Sequence, residues 1–300
     1  MATSTSHHKL TSSTATAVAM DANLTIAACI AGEEKEALEF LAARPIHTVV
    51  MRGFIRDNGL VSPANRGTFY ACRNWQGEIE GLAIIGHLTM IEAHTEPALT
   101  TLARQAQHCP NARLVMGEQE KIAKFFSHYY AEAGQTPRLI CRELLFEQRE
   151  PLALPHPVLG LREATFADLP LIVPVHAQLA LEDSGINPLE SDAIGFRRRC
   201  ARRIDQGRVW VWVEQERLMF KADVVSDTPE VIYLEGVYVR PENRGQGYAL
   251  RCLSQLGLQL LTRTNSICLL VNEHNHAAQN LYRKAQYELR SHYDTIFLQR

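Results

Sequence analysis

Apolar positions recur at helical spacing in Ala37, Leu38, Leu41 and Ala42, and the run stops at Pro45. Residues 47–54 (HTVVMRGF) read as a strand, and Asp57-Asn58-Gly59 as a turn. A second strand over 68–73 passes through Asn74-Trp75-Gln76-Gly77 into a long apolar strand over 80–91. Helices over 97–107 and 118–132 flank a strand over 112–116, and a strand over 138–146 follows. Residues 147–158 (EQREPLALPHPV) carry three prolines and no period, the pattern of a linker.

After the linker the order restarts. A short strand over 161–164 leads into helices over 165–182 and 193–206, with a polar loop over 183–188 between them. RVWVWV over 208–213 alternates as a strand and turns at 214–216 into a partner over 217–225. Residues 231–239 (VIYLEGVYV) form a buried strand that Pro241 stops. Leu250, Leu253, Leu256 and Leu260 then set a helix that begins in the RGQG turn. A strand over 266–272, a helix over 275–284 and a strand over 287–298 complete the chain.

Both halves therefore show strands, a helix, an apolar strand, a helix and a closing strand in one order, and the chain reads as a tandem duplication. The expected boundaries are a flexible Ser/Thr/Ala-rich tail over 1–22, a first domain over 23–147, a linker over 148–158 and a second domain over 159–300. The tail has neither the basic start nor the apolar stretch of a signal peptide.

Composition adds exclusions. The 31 basic and 33 acidic residues create no field that would gather nucleic acid or an anionic membrane. No apolar run reaches the ~18–20 residues of a membrane span. Seven cysteines, scattered singly, suit a reduced and cytoplasmic compartment. His274 and His276, two apart at a helix start, do not face one another, so no metal is expected.

The candidate chemistry lies in the strand–glycine turn–helix unit. That geometry presents free N–H groups and the positive end of a helix dipole to an anion. Gly245 and Gly247 remove the side chains that would hold a diphosphate away. Glycines serving backbone geometry alone are the other reading.

Arg244-Gly245-Gln246-Gly247-Tyr248-Ala249, behind a strand ending Val237-Tyr238-Val239, resembles the acyl-CoA loop of the GNAT acetyltransferases. The stretch from Asn272 through Asn275, Ala277 and Ala278 to Leu281-Tyr282 resembles that family's second signature. The two motifs stand in the right order and carry the resemblance over 160–300; in the first half it is architectural only. An intact second unit behind a degenerate first one also resembles the tandem GNAT proteins of bacteria. One departure is Gln286-Tyr287, where family members commonly carry Gly-Phe.

The resemblance implies an α/β fold of mixed α+β sheet: two tandem units, each a mostly antiparallel sheet with flanking helices. It implies acetyl-CoA, or another acyl-CoA, as cosubstrate and a small-molecule or peptide amine as acceptor. The backbone of Gln246, Gly247, Tyr248 and Ala249 would hold the diphosphate, with Arg244 and Gly245 beside it. The strand would splay near Val237, Tyr238 and Val239 to pair with the pantetheine arm, and the Val239 N–H would face the oxyanion. Asn275 would bond the arm and Ala278 let it pass. Tyr282 would protonate the departing thiolate, against the plainer role of a packed helix tyrosine. Glu235, sharing a strand face with Val237 and Val239 by alternation, is the candidate base, a rim carboxylate being the alternative. The first half, with His94-Thr95-Glu96-Pro97 in place of the loop, is expected to lack an acyl-CoA site. Two rival functions are an acyl-CoA sensor without turnover and aminoacyl transfer from tRNA.

Overall fold

The computed structural model describes residues 24–133, 136–154 and 156–299; the tail expected over 1–22 lies outside the described residues. The first half runs β1 (Thr25–Ala28), α1 (Glu34–Ala42), α2 (Pro45–Asn58), β2 (Gly67–Arg73), β3 (Ile79–Gly86) and β4 (Leu88–Ala93). It continues with α3 (Glu96–Gln107), β5 (Leu114–Glu118), α4 (Gln119–Ala133) and β6 (Pro137–Gln148). The second half repeats the order with β7 (Leu161–Glu163), α5 (Leu169–Ser184), α6 (Pro188–Asp205), β8 (Val209–Glu214), β9 (Arg217–Asp227) and β10 (Ile232–Val239). It ends with α7 (Tyr248–Leu260), β11 (Ile267–Asn272), α8 (His276–Lys284) and β12 (Glu288–Leu298).

The structure corrects the sequence reading in three places. Residues 47–54 lie in α2 and not in a strand. Thr48 to Gly53 are all buried, so this helix is enclosed on most of its sides, and its contiguous Val49-Val50-Met51 run looks like a buried strand when taken alone. Pro45 opens the helix, where its missing N–H costs nothing. The long strand over 80–91 is two strands, β3 and β4, which turn at Gly86 and His87 within one apolar run. Helix α6 starts at Pro188 rather than 193, with Asn187 capping it and a kink at Asp192.

All the strands join one twelve-stranded sheet in the order β1-β2-β3-β4-β5-β12-β6-β11-β10-β9-β8-β7. The centre of that order is crossed. Strand β12, from the second half, lies between β5 and β6, while β6, from the first half, lies between β12 and β11. Each half thus lends its last strand to the other. The two lent strands pair antiparallel through Glu143↔Tyr293 and their neighbours. One core reflects the exchange, joining Leu82, Ile84 and Met90 with Val231, Tyr233, Cys268 and Tyr293. Helix α2 reaches across as well: the buried Arg52 guanidinium lies 2.6 Å from Glu230. Helices α7 and α8 cover the opposite face of the second half through Leu253, Leu256 and Tyr282, and α5 and α6 form separate smaller cores. Among the described residues no helix is long and apolar enough to cross a membrane.

Candidate active site

Strand β10 decides the geometry. It pairs in parallel with β11 through Ile232↔Ile267, Tyr233↔Cys268 and Leu234↔Leu269, and the pairing ends there. Beyond Leu234 the strands part, leaving a gap. On the other edge, β10 pairs with β9 through Glu235↔Asp223 and then Tyr238↔Lys221, so three steps on one strand meet two on the other. That is a β-bulge, and Gly236 occupies it with φ of +59°, a region an L side chain enters only at a cost.

The bulge corrects one inference from alternation. Glu235 shares its face with its cross-strand partner Asp223, towards α5 and α6. Val237 and Val239 pack instead with the α7–α8 core, together with Ile232 and Leu234. Glu235 and the two valines are therefore on opposite faces, because one inserted residue flips the period of two. The bulge also sets the backbone. The Arg240 N–H donates to the Met219 carbonyl. By ladder alternation from Arg240 the Tyr238 N–H faces β9 and the Val239 N–H faces the gap, while the Gly236 carbonyl accepts from Lys221 of β9, so the Val237 N–H of that trans peptide points away from β9.

Past Pro241–Asn243 the chain enters the exposed glycine turn. Gly245 and Gly247 have φ of +75° and +79°, and no atom lies within 4 Å of where a Cβ would stand on either. Gly247 is the N-cap of α7, and no side chain caps the helix. The N–H groups of its first turn are thus free of intrahelical partners and point out of the protein surface. The Arg244 side chain folds back, its Nε donating to the Val239 carbonyl at 3.1 Å. Gln246 turns towards the Glu242 carbonyl at 3.1 Å, leaving its backbone outward. The Tyr248 ring lies 5.0 Å from that of Trp212.

Helix α8 closes the gap from the other side. Asn275 caps it by accepting the Ala278 N–H at 3.1 Å, so its amide NH₂ is the group left for a ligand. Ala278 packs partly buried on the α7–α8 core. Tyr282 is 6% exposed, its ring 6.2 Å from Phe146 and 5.8 Å from Tyr287. Burial pushes its hydroxyl pKa up, so it is fully protonated at neutral pH. Gln286 ends the helix with φ of +65°, the conformation a glycine would take there.

On the α5–α6 face the sequence reading missed Glu143, Lys221 and the role of Asp223, whereas Asp183 belongs to the acidic loop it had weighed for a cationic acceptor. Burial pushes Glu143 up to about 7 against a hydrogen bond from Thr295, and the Glu235 and Asp183 carboxylates add to the rise. Burial, then Glu235, raises Asp183 to about 6. Glu143 belongs to β6, so the first half supplies a carboxyl group to this side of the second. Behind them Lys221 and Asp223 form a buried ion pair at 2.6 Å. Charged residues two apart inside the apolar strand RLMFKADVVSD were the available signal. Cys200 Sγ lies 3.9 Å from His176 Nδ1, but burial raises that thiol pKa.

The corresponding place in the first half is built differently. Strands β4 and β5 pair through Leu88↔Leu114 and Thr89↔Val115 and then part, as β10 and β11 do. Yet β3 and β4 keep an unbroken register from Gly81↔Ala93 to Ile84↔Met90, with no bulge. Charges cross the gap: Glu92 lies 2.7 Å from Lys121 and 3.3 Å from Arg44, which lies 2.7 Å from Glu118. The Thr95 side chain caps α3, and Pro97 removes one of its first N–H groups.

Comparison with known proteins agrees with this fold. Residues 226–296 match the FR47-like protein family model. Among solved structures, a GNAT-family acetyltransferase from Colwellia psychrerythraea superposes with a TM-score of 0.58 at 12% identity, covering 92% of this chain and 100% of that one. A GCN5-related N-acetyltransferase from Sphaerobacter thermophilus gives 0.58 at 15%, covering 91% and 94%. A tandem GNAT protein from the clavulanic acid biosynthesis pathway gives 0.58 at 15%, covering 91% and 97%. No curated protein matches the sequence significantly. The chain has the GNAT acetyltransferase fold.

Proposed function

We propose that the chain transfers an acyl group, acetyl first among them, from acyl-CoA to a primary amine of a small molecule or peptide. The observation that carries this reading is the pairing of an uncapped α7 N-terminus with the gap between β10 and β11. One binds an anion; the other receives an extended, amide-bearing arm as a partial strand. Acetyl-CoA supplies both the diphosphate and the arm, and its thioester is the activated acyl group.

The N–H groups of Gln246, Gly247, Tyr248 and Ala249 hold the diphosphate, and the Asn275 amide donates to the arm. Val237 and Val239 direct their N–H groups at the arm and at the thioester carbonyl, where negative charge develops as the amine attacks. A nitrogen–carbon bond forms and the carbon–sulfur bond breaks. The amine proton passes to Glu235, directly or through water, and the leaving thiolate takes its proton from the Tyr282 hydroxyl. Burial raises the Cys252 thiol pKa to about 12 and raises that of Cys268 as well, which supports direct attack over a cysteine intermediate.

A second reading has an observation of its own. The Tyr282 ring is packed between Phe146 and Tyr287, as a core tyrosine would be, which suits an acyl-CoA sensor without turnover. Calorimetry with acetyl-CoA, followed by a thiol-release screen over amines, amino acids, peptide N-termini and aminoglycosides, tests both. Absence of acetyl-CoA binding overturns both readings; binding without thiol release for any acceptor favours the sensor.

A further inference from the structure

Two charges stand in the middle of the sheet. The Lys221 and Asp223 side chains are 0% and 1% exposed, with Nζ and Oδ2 at 2.6 Å. A buried ion pair of this kind is often no more stabilising than an apolar pair of similar volume, so stability alone does not explain it. Its position does. Lys221 Nζ donates to the Gly236 carbonyl oxygen at 3.4 Å, the carbonyl of the bulge itself. A Cβ on Gly236 would stand 2.9 Å from Lys221 Nζ and 3.1 Å from Asp223 Oδ2, so the bulge rests directly on the pair.

The Gly236 carbonyl and the Val237 N–H belong to one trans peptide and point in opposite directions. An ammonium at the oxygen end draws electron density along the peptide and strengthens the donor at the other end. That donor therefore points away from β9, to the side on which β10 and β11 part. Asp223 keeps the ammonium in place and is itself held at 3.6 Å by His176 of α5 and at 3.6 Å by Arg203 of α6. Burial raises the Asp223 pKa, but Lys221, His176 and Arg203 lower it further, so it remains an anion.

We propose that Lys221 is a positioning residue that holds the Gly236 bulge and polarises the Gly236–Val237 peptide, making the Val237 N–H the principal donor to the thioester oxygen. The inference rests on the acyl-CoA reading and deepens it. An acceptor-independent probe tests it: acetyl-CoA labelled with ¹³C at its carbonyl, bound to the full chain and followed by isotope-edited infrared spectroscopy. In the wild-type protein the carbonyl stretch falls below its value in water. In Lys221→Met, and in Lys221→Met/Asp223→Asn, where the ammonium and its carboxylate are removed together, at least half of that displacement is lost. Calorimetric affinity for acetyl-CoA stays within about 3-fold, and with a known acceptor kcat falls ~10–100-fold at nearly constant KM. An equal displacement in the wild type and in either folded variant overturns the inference while leaving the acyl-CoA reading intact. Wild-type protein that does not bind acetyl-CoA overturns both. Loss of affinity in parallel with the spectroscopic change marks a purely structural pair and overturns the polarising role.

Discussion

The two halves contain one topology and two different clefts. In both, a parallel strand pair holds for two or three residues and then opens. In the second half the opening is left free: β10 is bulged, α7 starts without a cap, and backbone donors face outward. In the first half the same opening still holds a cavity of about 340 Å³, but its lining groups are already engaged, with Glu92, Glu118, Arg44 and Lys121 satisfying one another and Thr95 capping α3. The difference teaches that a binding cleft in this fold is a set of unsatisfied backbone donors, and that a cavity whose lining groups satisfy one another lacks them.

The largest test separates the halves altogether. The exchange of β6 and β12 means that a fragment 21–147 or 155–300 lacks a central strand and leaves an open edge in its sheet. Neither fragment is expected to fold alone, whereas co-expression restores a folded complex. Circular dichroism and size exclusion on each fragment check this, and a cooperatively melting single fragment would refute it.

Within the intact chain, Gly247→Asp is expected to remove measurable acetyl-CoA binding while the melting curve remains cooperative. It brings a negative side chain to the anion-facing turn; Cβ space there is open, and the φ of +79° costs Asp about 1 kcal/mol, too little to unfold the chain. Calorimetry reads the result; affinity within a few-fold of wild type would mean that the anion binds elsewhere. Next in size is Tyr282→Phe, expected to lower turnover by ~10²–10⁴-fold at nearly constant acetyl-CoA affinity. An unchanged kcat reduces Tyr282 to packing.

The self-paired cleft supplies the contrasting test. Glu92→Gln leaves Lys121 and Arg44 short of a partner and should destabilise the protein by about 1–3 kcal/mol, less than for a fully buried pair. It should leave acetyl-CoA affinity unchanged, since that site lies in the other half. Denaturant melts and calorimetry report the two effects separately.

The smallest effect is electrostatic. The Glu143 pKa rises from 4.5 to about 7 on folding, through burial first. Below pH 4.5 both states are protonated and the group is neutral in its effect. As pH rises from 4.5 towards 7 the unfolded chain releases its proton while the folded one retains it, so stability falls through that window. Glu143→Gln should flatten the slope, leaving the part that Asp183 contributes between about pH 4 and 6, and stabilise the protein by about 1–2 kcal/mol at pH 7. Melting temperatures across pH 4–8 check it, and an unchanged pH slope would refute the assignment.

What the sequence determined by itself was local. The glycine turn, the strand before it, and the Asn-Ala-Ala-Leu-Tyr helix each act through neighbours a few residues apart, and each stands in the structure where spacing put it. The resemblance of the halves was legible for the same reason. The tertiary structure alone decided what depends on distant pairing. Helix α2 is buried on nearly all sides, so its Val49-Val50-Met51 run imitates a buried strand. The exchange of β6 and β12 leaves each strand's own pattern unchanged, so no local signal reports it, yet it brings Glu143 into the other half. One extra residue at Gly236 moved Glu235 off the face of Val237 and Val239, because strand alternation holds only while the partner strand keeps step. Lys221 and Asp223 were visible as charges in an apolar run, but their hold on the bulge depends on a contact fifteen residues away in sequence, between Lys221 and Gly236. Local spacing specifies elements and turns; long-range register specifies which faces meet.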